Sequence, residues 1–280
     1  MSLEGRTIVM SGGSRGIGLA IAKRIAQDGA NLALIAKTAE PHPKLPGTVF
    51  TAAEEVEEAG GNALPIVGDV RDADQVSDAV AQVVERFGGV DIVVNNASAI
   101  NLSPMADLEV KRFDLMQSIN SRGTFVLTKA ALPHLRKSDH AHVLTLSPPL
   151  SADPKWLKGN SAYTLSKMGM TMLTLGLAQD EAENGVAANC LWPRTIIATA
   201  AVQNLLGGDD AMARARTPEI YADAAYAILK RAPRECTGNA YIDDEVLAEN
   251  GITDLSGYAA PGAELVLDLF VDGWPEVPGT

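Results

Sequence analysis

Short, almost wholly apolar runs alternate along the chain with amphipathic stretches of helical length. "TIVMS" (7–11), "NLALIA" (31–36), "ALPIV" (63–67), "DIVVNN" (91–96), "HVLTLS" (142–147) and "AANCL" (187–191) read as strands. None shows the apolar/polar alternation of a sheet with one wet face, so each is expected in a parallel sheet covered on both sides. "IGLAIAKRIAQDG", "TAAEEVEEAGG" and "ADQVSDAVAQVVERFGG" read as helices between them, with two longer helical segments around 109–137 and 161–184. Gly29, Gly60, Gly88 and Gly185 stand at or near the predicted helix ends, where a left-handed cap is common. Strand–helix–strand alternation of this kind predicts an α/β fold, a doubly wound parallel sheet of the Rossmann type in one domain.

Two stretches break the rhythm. "KTAEPHPKLPGT" (37–48) carries three prolines and is expected to be an extended loop after the second strand. The Ala-rich segment from Arg194 to Pro218 interrupts the path from the sixth strand to the last helix. Loops that follow strand C-termini are where open α/β sheets bind ligands. Residues 1–244 are expected to form the Rossmann domain, and the acidic residues 245–280, with scattered Pro and Gly, an extension packed on it.

Composition narrows the field. The 280 residues are 46% hydrophobic, enough for a large core without disulfide or metal staples, and the formal charge is −12. An acidic surface repels nucleic-acid phosphates and anionic membranes, so neither is an expected partner; a small-molecule substrate is. Cys190 and Cys236 show no disulfide framework, and no secretory leader, membrane-spanning run or peroxisomal tripeptide is apparent, so a cytoplasmic location is expected. His140 and His142 open the fifth strand without thiol or carboxylate companions; they are expected at the surface or the strand edge, and no metal site is expected.

The chemistry is concentrated at strand ends. "SGGSRGIG" (11–18) places four glycines in seven positions between a strand and a helix. Gly12 is expected to make the turn, Gly16 to let a pyrophosphate approach the backbone and Gly18 to allow close packing, with the helix N–H groups facing the phosphates. An ordinary tight strand–helix turn would also use glycine. Tyr163 and Lys167 in "YTLSK" are four apart, hence on one helix face. A free tyrosine has a pKa of about 10, too high for proton transfer near neutrality, and a nearby ammonium lowers it.

These signals, with "NNAS" (95–98), Asn120 and Ser147 between them, occur in the order that resembles the short-chain dehydrogenase/reductase family, over roughly residues 5–243. The resemblance implies an oxidoreductase moving a hydride between a nicotinamide cofactor and a secondary alcohol or ketone. It implies that Tyr163 is the acid–base group, that Lys167 tunes it and bonds the nicotinamide ribose, that Ser147 holds the substrate oxygen and that Asn120 anchors a water relay. By the same resemblance, Ser14, Ile17, Asp69, Val70, Asn96, Ala97, Pro193, Thr195 and Ile196 join Gly12, Arg15, Gly16, Gly18 and Lys37 as cofactor contacts. Homodimers or homotetramers built through the two long helical segments are also implied. Enoyl reductases of this fold place the tyrosine and lysine farther apart, which favours carbonyl chemistry. "AKTAEPHPKLPGTVFTAAEE", "DVRDADQV", "NNASAI", "LSPPL" and "LWPRT" are similar to one group in the family, some of whose members carry a C-terminal sterol-carrier domain. None follows here, so lipid transfer is not expected.

Three departures accompany the match: the insert "PPLSADPKW" between Ser147 and Tyr163, Pro193-Arg194 where proline–glycine is usual, and "DDE" (243–245) where aspartate followed by glycines usually ends the last strand. On cofactor choice, Ala36 stands where NAD-preferring folds place an acid for the ribose hydroxyls, while Arg15 and Lys37 supply cations. NADP(H) is therefore expected, with NAD(H) as the alternative. The competing functional class is a nucleotide-binding sensor without catalysis, separable by whether NADPH is oxidised with assorted ketones. Trp156, Leu157 and Trp192 hint at an apolar or acyl ligand, or equally at core packing.

Overall fold

The structure, a computed structural model, describes residues 1–41 and 46–275. Part of the proline-rich loop, His42 to Leu45, lies outside the described residues. Seven parallel strands form one sheet in the order β3-β2-β1-β4-β5-β6-β7, with β1 Thr7–Ser11, β2 Asn31–Ala36, β3 Asn62–Val67, β4 Ile92–Asn95, β5 His142–Thr145, β6 Ala187–Trp192 and β7 Ala240–Ile242. The helices are α1 Gly16–Ala26, α2 Val49–Glu58, α3 Ala73–Phe87, α4 Val110–Ile119, α5 Ser121–Leu135, α6 Ser161–Asp180, α7 Gly208–Ala213, α8 Pro218–Leu229 and α9 Asp243–Glu249.

Period-2 alternation explains why the strands read as unbroken apolar runs. Ile8 and Met10 of β1, with Leu32 and Leu34 of β2, face a core shared with Ile21 and Ile25 of α1 and Ile220 and Ile228 of α8. Val9, Ala33 and Ile35, one residue out of step, face the opposite core with Val76, Val80 and Val83 of α3 and Leu127 of α5. Both faces of the sheet are dry, and at roughly 25 cal/mol per Å² of apolar area the two cores dominate the stability.

His140 and His142 are not at the surface. Both are buried, with ring centroids 4.8 Å apart, and each donates an Nε2–H to a carbonyl at the end of α8, Leu229 at 2.7 Å and Arg231 at 3.1 Å. They replace water as partners of the helix's terminal carbonyls. Among the described residues no group of three or more His, Cys, Asp or Glu is placed to hold a metal, and no helix is long and apolar enough to cross a membrane.

The departures at Arg194 and at "DDE" turn out to be one feature. Asp243 does not end a glycine turn but opens α9, and its Oδ1 accepts from the Arg194 backbone N–H at 2.9 Å. The Arg194 guanidinium is buried against both oxygens of Asp244 at 3.0 Å, against Glu245 at 2.5 Å and against the Gly273 carbonyl at 2.8 Å. An arginine in a glycine's usual place needs a buried acid, and "DDE" supplies it.

Candidate active site

The glycine turn shows why three of its four glycines are needed. Gly12 has φ +73°, and a Cβ there would stand 2.8 Å from Asn96 Nδ2. A Cβ on Gly18 would come within 2.5 Å of the same amide and 2.7 Å of the Gly12 carbonyl. Gly16 has φ +55° with only Thr199, at 3.5 Å, near the Cβ direction, so its exposed face is open to a ligand. Asn96 is the clamp: its Nδ2 donates to the carbonyls of Ser11 at 3.1 Å and Gly12 at 2.8 Å, while Ser11 Oγ accepts from the Asn96 and Ala97 N–H groups. Arg15 caps α1 without a side-chain hydrogen bond, which leaves the first-turn N–H groups for an anion.

These loops follow the C-terminal ends of the strands, and they enclose one cavity of about 890 Å³. Gly12, Ser14, Arg15, Gly16 and Ile17 line it from the glycine turn, Lys37, Asp69 and Val70 from the ends of β2 and β3, and Asn96 and Ala97 from β4. Tyr163 and Lys167 of α6, with Pro193 and Ile196 after β6, close the far end. Gly18, Thr195, Asn120 and Ser147 do not line it. Gly18 is packed inside the turn, and Thr195 is fully buried, bridging Leu267 of the C-terminal segment.

Ser147 is the clearest displacement. It is fully buried, and its Oγ lies 2.9 Å from the hydroxyl of Thr171, on the side away from the cavity. Leu146, the residue before it, is the one that lines the cavity. Neighbouring side chains of an extended segment point to opposite sides, so a shift of one position decides which residue faces the ligand.

Asn120 sits where the long helical segment breaks between α4 and α5, with ψ −80°. The Asn120 carbonyl is not freed by this break: Thr124 N–H donates to it at 3.1 Å. The side chain is also committed, accepting from Ala99 N–H at 2.7 Å and donating to the Ala99 carbonyl at 3.0 Å and Ser166 Oγ at 2.8 Å. In this structure it fastens the loop after β4 to α6.

Tyr163 and Lys167 are both buried on α6. Lys167 Nζ donates to the Leu146 carbonyl at 2.6 Å and lies 5.0 Å from the centre of the Trp192 ring. Burial brings the Lys167 ammonium down to about 8, against an upward pull from Asp268. The Tyr163 hydroxyl is not lowered, as the Tyr–Lys spacing alone would imply; burial pushes it well up and the Asp268 carboxylate adds to that. Asp268 and Phe270 were not legible as site residues. Both come from the C-terminal segment, where their only sequence signal is an acid within the apolar run "LVLDLFV".

The cation pair near β2 is also modified by its neighbours. Lys37 is largely exposed and lies 3.2 Å from Asp69, which Arg71 grips with two nitrogens and, with Lys37, holds far below the usual carboxylate range. Arg15 donates from Nη2 to the Gly47 carbonyl at 2.9 Å, but its Nε is buried without a partner among the described residues. A buried, unpaired guanidinium N–H at the rim of this cavity fits a phosphate oxygen, as do the open face of Gly16 and the free N–H groups of α1. The residues present therefore suit a dinucleotide.

Residues 6–208 match the family described as short chain dehydrogenase. The chain belongs to the short-chain dehydrogenase family. This short-chain dehydrogenase is 54% identical over 275 residues to hydroxysteroid dehydrogenase-like protein 2 of Danio rerio and 50% identical to that of Homo sapiens. The match covers 98% of this chain but only 66% and 65% of those two proteins, so it spans somewhat less than two thirds of their length. A crystal structure of a short-chain dehydrogenase from Mycobacterium thermoresistibile superposes with a TM-score of 0.93 at 59% identity, covering 99% of each chain. A dehydrogenase/reductase from Sinorhizobium meliloti superposes at 0.72 with 32% identity, over 86% of this chain and 94% of that one. As a short-chain dehydrogenase the protein is an oxidoreductase, and the family implies a nicotinamide cofactor.

Proposed function

We propose that the protein is an NADP(H)-dependent oxidoreductase that interconverts a secondary alcohol and a ketone. The observation that carries this reading is the continuity of one cavity from the glycine turn to Tyr163 and Lys167. When bound, the cofactor supplies or accepts the hydride at the carbonyl carbon. The protein manages the oxygen: Tyr163 gives its hydroxyl proton to the oxygen during ketone reduction and takes it back during alcohol oxidation. Lys167, held by the Leu146 carbonyl, is proposed to bond the nicotinamide ribose. Ile100, Leu102, Trp192, Leu205 and Leu269 make the substrate end of the cavity apolar, which supports an apolar ketone, as the hydroxysteroid name of the relatives also does. The buried free thiols of Cys190 and Cys236 accord with a cytoplasmic setting. NADPH oxidation with a panel of apolar ketones, steroid ketones included, tests the proposal. Tight NADPH binding with no ketone reduced would favour the silent sensor instead.

Arg15 and Lys37 are proposed to hold the 2′-phosphate of NADP. Charge-assisted hydrogen bonds contribute roughly 1.5–3 kcal/mol each, but Asp69 already offsets part of the Lys37 charge. A preference for NADP over NAD of roughly tenfold to a hundredfold is expected, weakening with salt because Lys37 is exposed. Dissociation constants from tryptophan fluorescence would check it. Replacing Ala36 with Asp and Lys37 with Ala is expected to reverse the order. Equal affinities in the unaltered protein would remove both residues from the phosphate site.

Phe125 of α5 and Leu165, Met172 and Leu173 of α6 are exposed apolar side chains on the two long helical segments. Burying them against a second copy is expected to give a dimer or tetramer at micromolar concentration. Light scattering that finds a monomer would contradict this.

A further inference from the structure

The C-terminal segment does more than cover the sheet edge. Asp268 N–H donates to the Arg194 carbonyl at 2.9 Å, Leu267 bridges Thr195, and Trp192 Nε1–H donates to the Leu269 carbonyl at 2.7 Å. These bonds lay the segment across the start of the loop after β6 and set the Asp268 carboxyl into the cavity wall with Tyr163 and Lys167.

Phe270 gives an independent sign that the segment is forced into this position. Among the described residues it is the one non-glycine with positive φ, at +71°. Its ring stacks on Tyr163 at 6.3 Å and 26°, and lies 5.8 Å from each of Trp156 and Trp192. A bulky residue stays in the left-handed region only where its surroundings over-determine it, and such residues gather at functional sites.

We propose that Asp268 is a further catalytic residue of this site, its carboxyl group donating a hydrogen bond to the substrate's carbonyl oxygen beside Tyr163. The proposal rests on the ketone–alcohol reading above. Asp268 lines the cavity where Ser147, whose hydroxyl meets that of Thr171, does not. Oδ1 of Asp268 accepts only from the N–H of its own neighbour, Leu269, at 2.6 Å, and no cation is paired with it among the described residues. Lys167, the facing ammonium, spends its short bond on Leu146.

The groups facing Asp268 set when it can donate. Burial and the Asp243 carboxyl of α9 raise it to about 7, while Lys167 of α6 pulls it back. Tyr163 of α6 and Tyr221 of α8 face it as neutral phenols, both held up by burial. The raised value means that the carboxyl holds its proton below about pH 7 and loses it above. Donation to a carbonyl oxygen therefore fades as pH rises through that value, much as a carboxylic acid kept neutral by an apolar site can serve an oxyanion.

The test compares pH profiles of ketone reduction with NADPH for the unaltered protein, Asp268→Asn and Asp268→Leu. Unaltered protein is expected to lose kcat/KM above about pH 7. Asp268→Asn keeps a donor and the fit but cannot ionise, so its rate should stay within about tenfold while that pH limb disappears. Asp268→Leu is expected to lose about a hundredfold in kcat with NADPH affinity little changed. If Asp268→Asn retains the limb, or Asp268→Leu works nearly as well as the unaltered protein, the proposal is overturned while the alcohol–ketone reading stands. If the unaltered protein binds NADPH and reduces no ketone, that reading and this proposal fall together.

Discussion

Replacing Tyr163 with phenylalanine is expected to lower turnover by about 10²–10⁴-fold while leaving the dissociation constant of NADPH within a small factor of its original value. The magnitude is that of a positioned acid–base group. The ring is buried between Phe270 and the cavity, and phenylalanine keeps that packing, so the variant should fold. Only the hydroxyl is lost, and with it the proton for the reacting oxygen. Lys167→Ala should behave differently, because that side chain holds the Leu146 carbonyl as well as serving the ribose, and both affinity and turnover should suffer. Steady-state kinetics with cofactor titration on the same samples would check this. A Tyr163→Phe protein within tenfold of the unaltered rate would remove Tyr163 from the chemistry.

The largest expected stability effect lies outside the catalytic pair. Asp244→Ala should cost about 3–5 kcal/mol, because it takes from the buried guanidinium of Arg194 its buried carboxylate partner and from that of Arg216 the carboxylate 3.6 Å away. Both arginine side chains are 6% exposed, so water cannot replace the lost partner. Glu245→Ala is the internal control. Its carboxylate also meets Arg194, but it is 51% exposed, and its loss should cost only about 0–1 kcal/mol. Urea unfolding of the two variants side by side measures the difference. Equal, small costs would mean that the Arg194 site relaxes open to solvent. The same cluster holds the Arg194 carbonyl to which Asp268 is tied, so partial loss of activity in Asp244→Ala would follow from a loosened C-terminal segment.

Six of the seven strands, the glycine turn and the Tyr–Lys pair were legible in the chain itself, because each is specified by neighbours a few residues away. Apolar runs of four to six residues mark strands covered on both faces, and a four-residue spacing puts two side chains on one helix face whatever surrounds them. β7, only three residues long and partly buried, gave no such signal. The direction faced by a residue just past a strand end is different, since a single step reverses it; Leu146 took the cavity and Ser147 the interior for that reason. The sign of the Tyr163 shift was likewise out of reach, because it depends on burial and on a carboxylate more than a hundred residues away. Asn96 clamping the glycine turn, Asp69 sharing Lys37, Asp244 neutralising Arg194 and Asp268 entering the cavity are all pairings across long stretches of sequence. The sequence by itself determined the fold, which rests on local periodicity and spacing, and carried the ordered motifs whose resemblance to the family implied the chemical class. Tertiary structure alone decided which polar groups meet in the dry interior, because a buried charge or hydrogen-bonding group takes its partner from whatever the folded chain brings beside it.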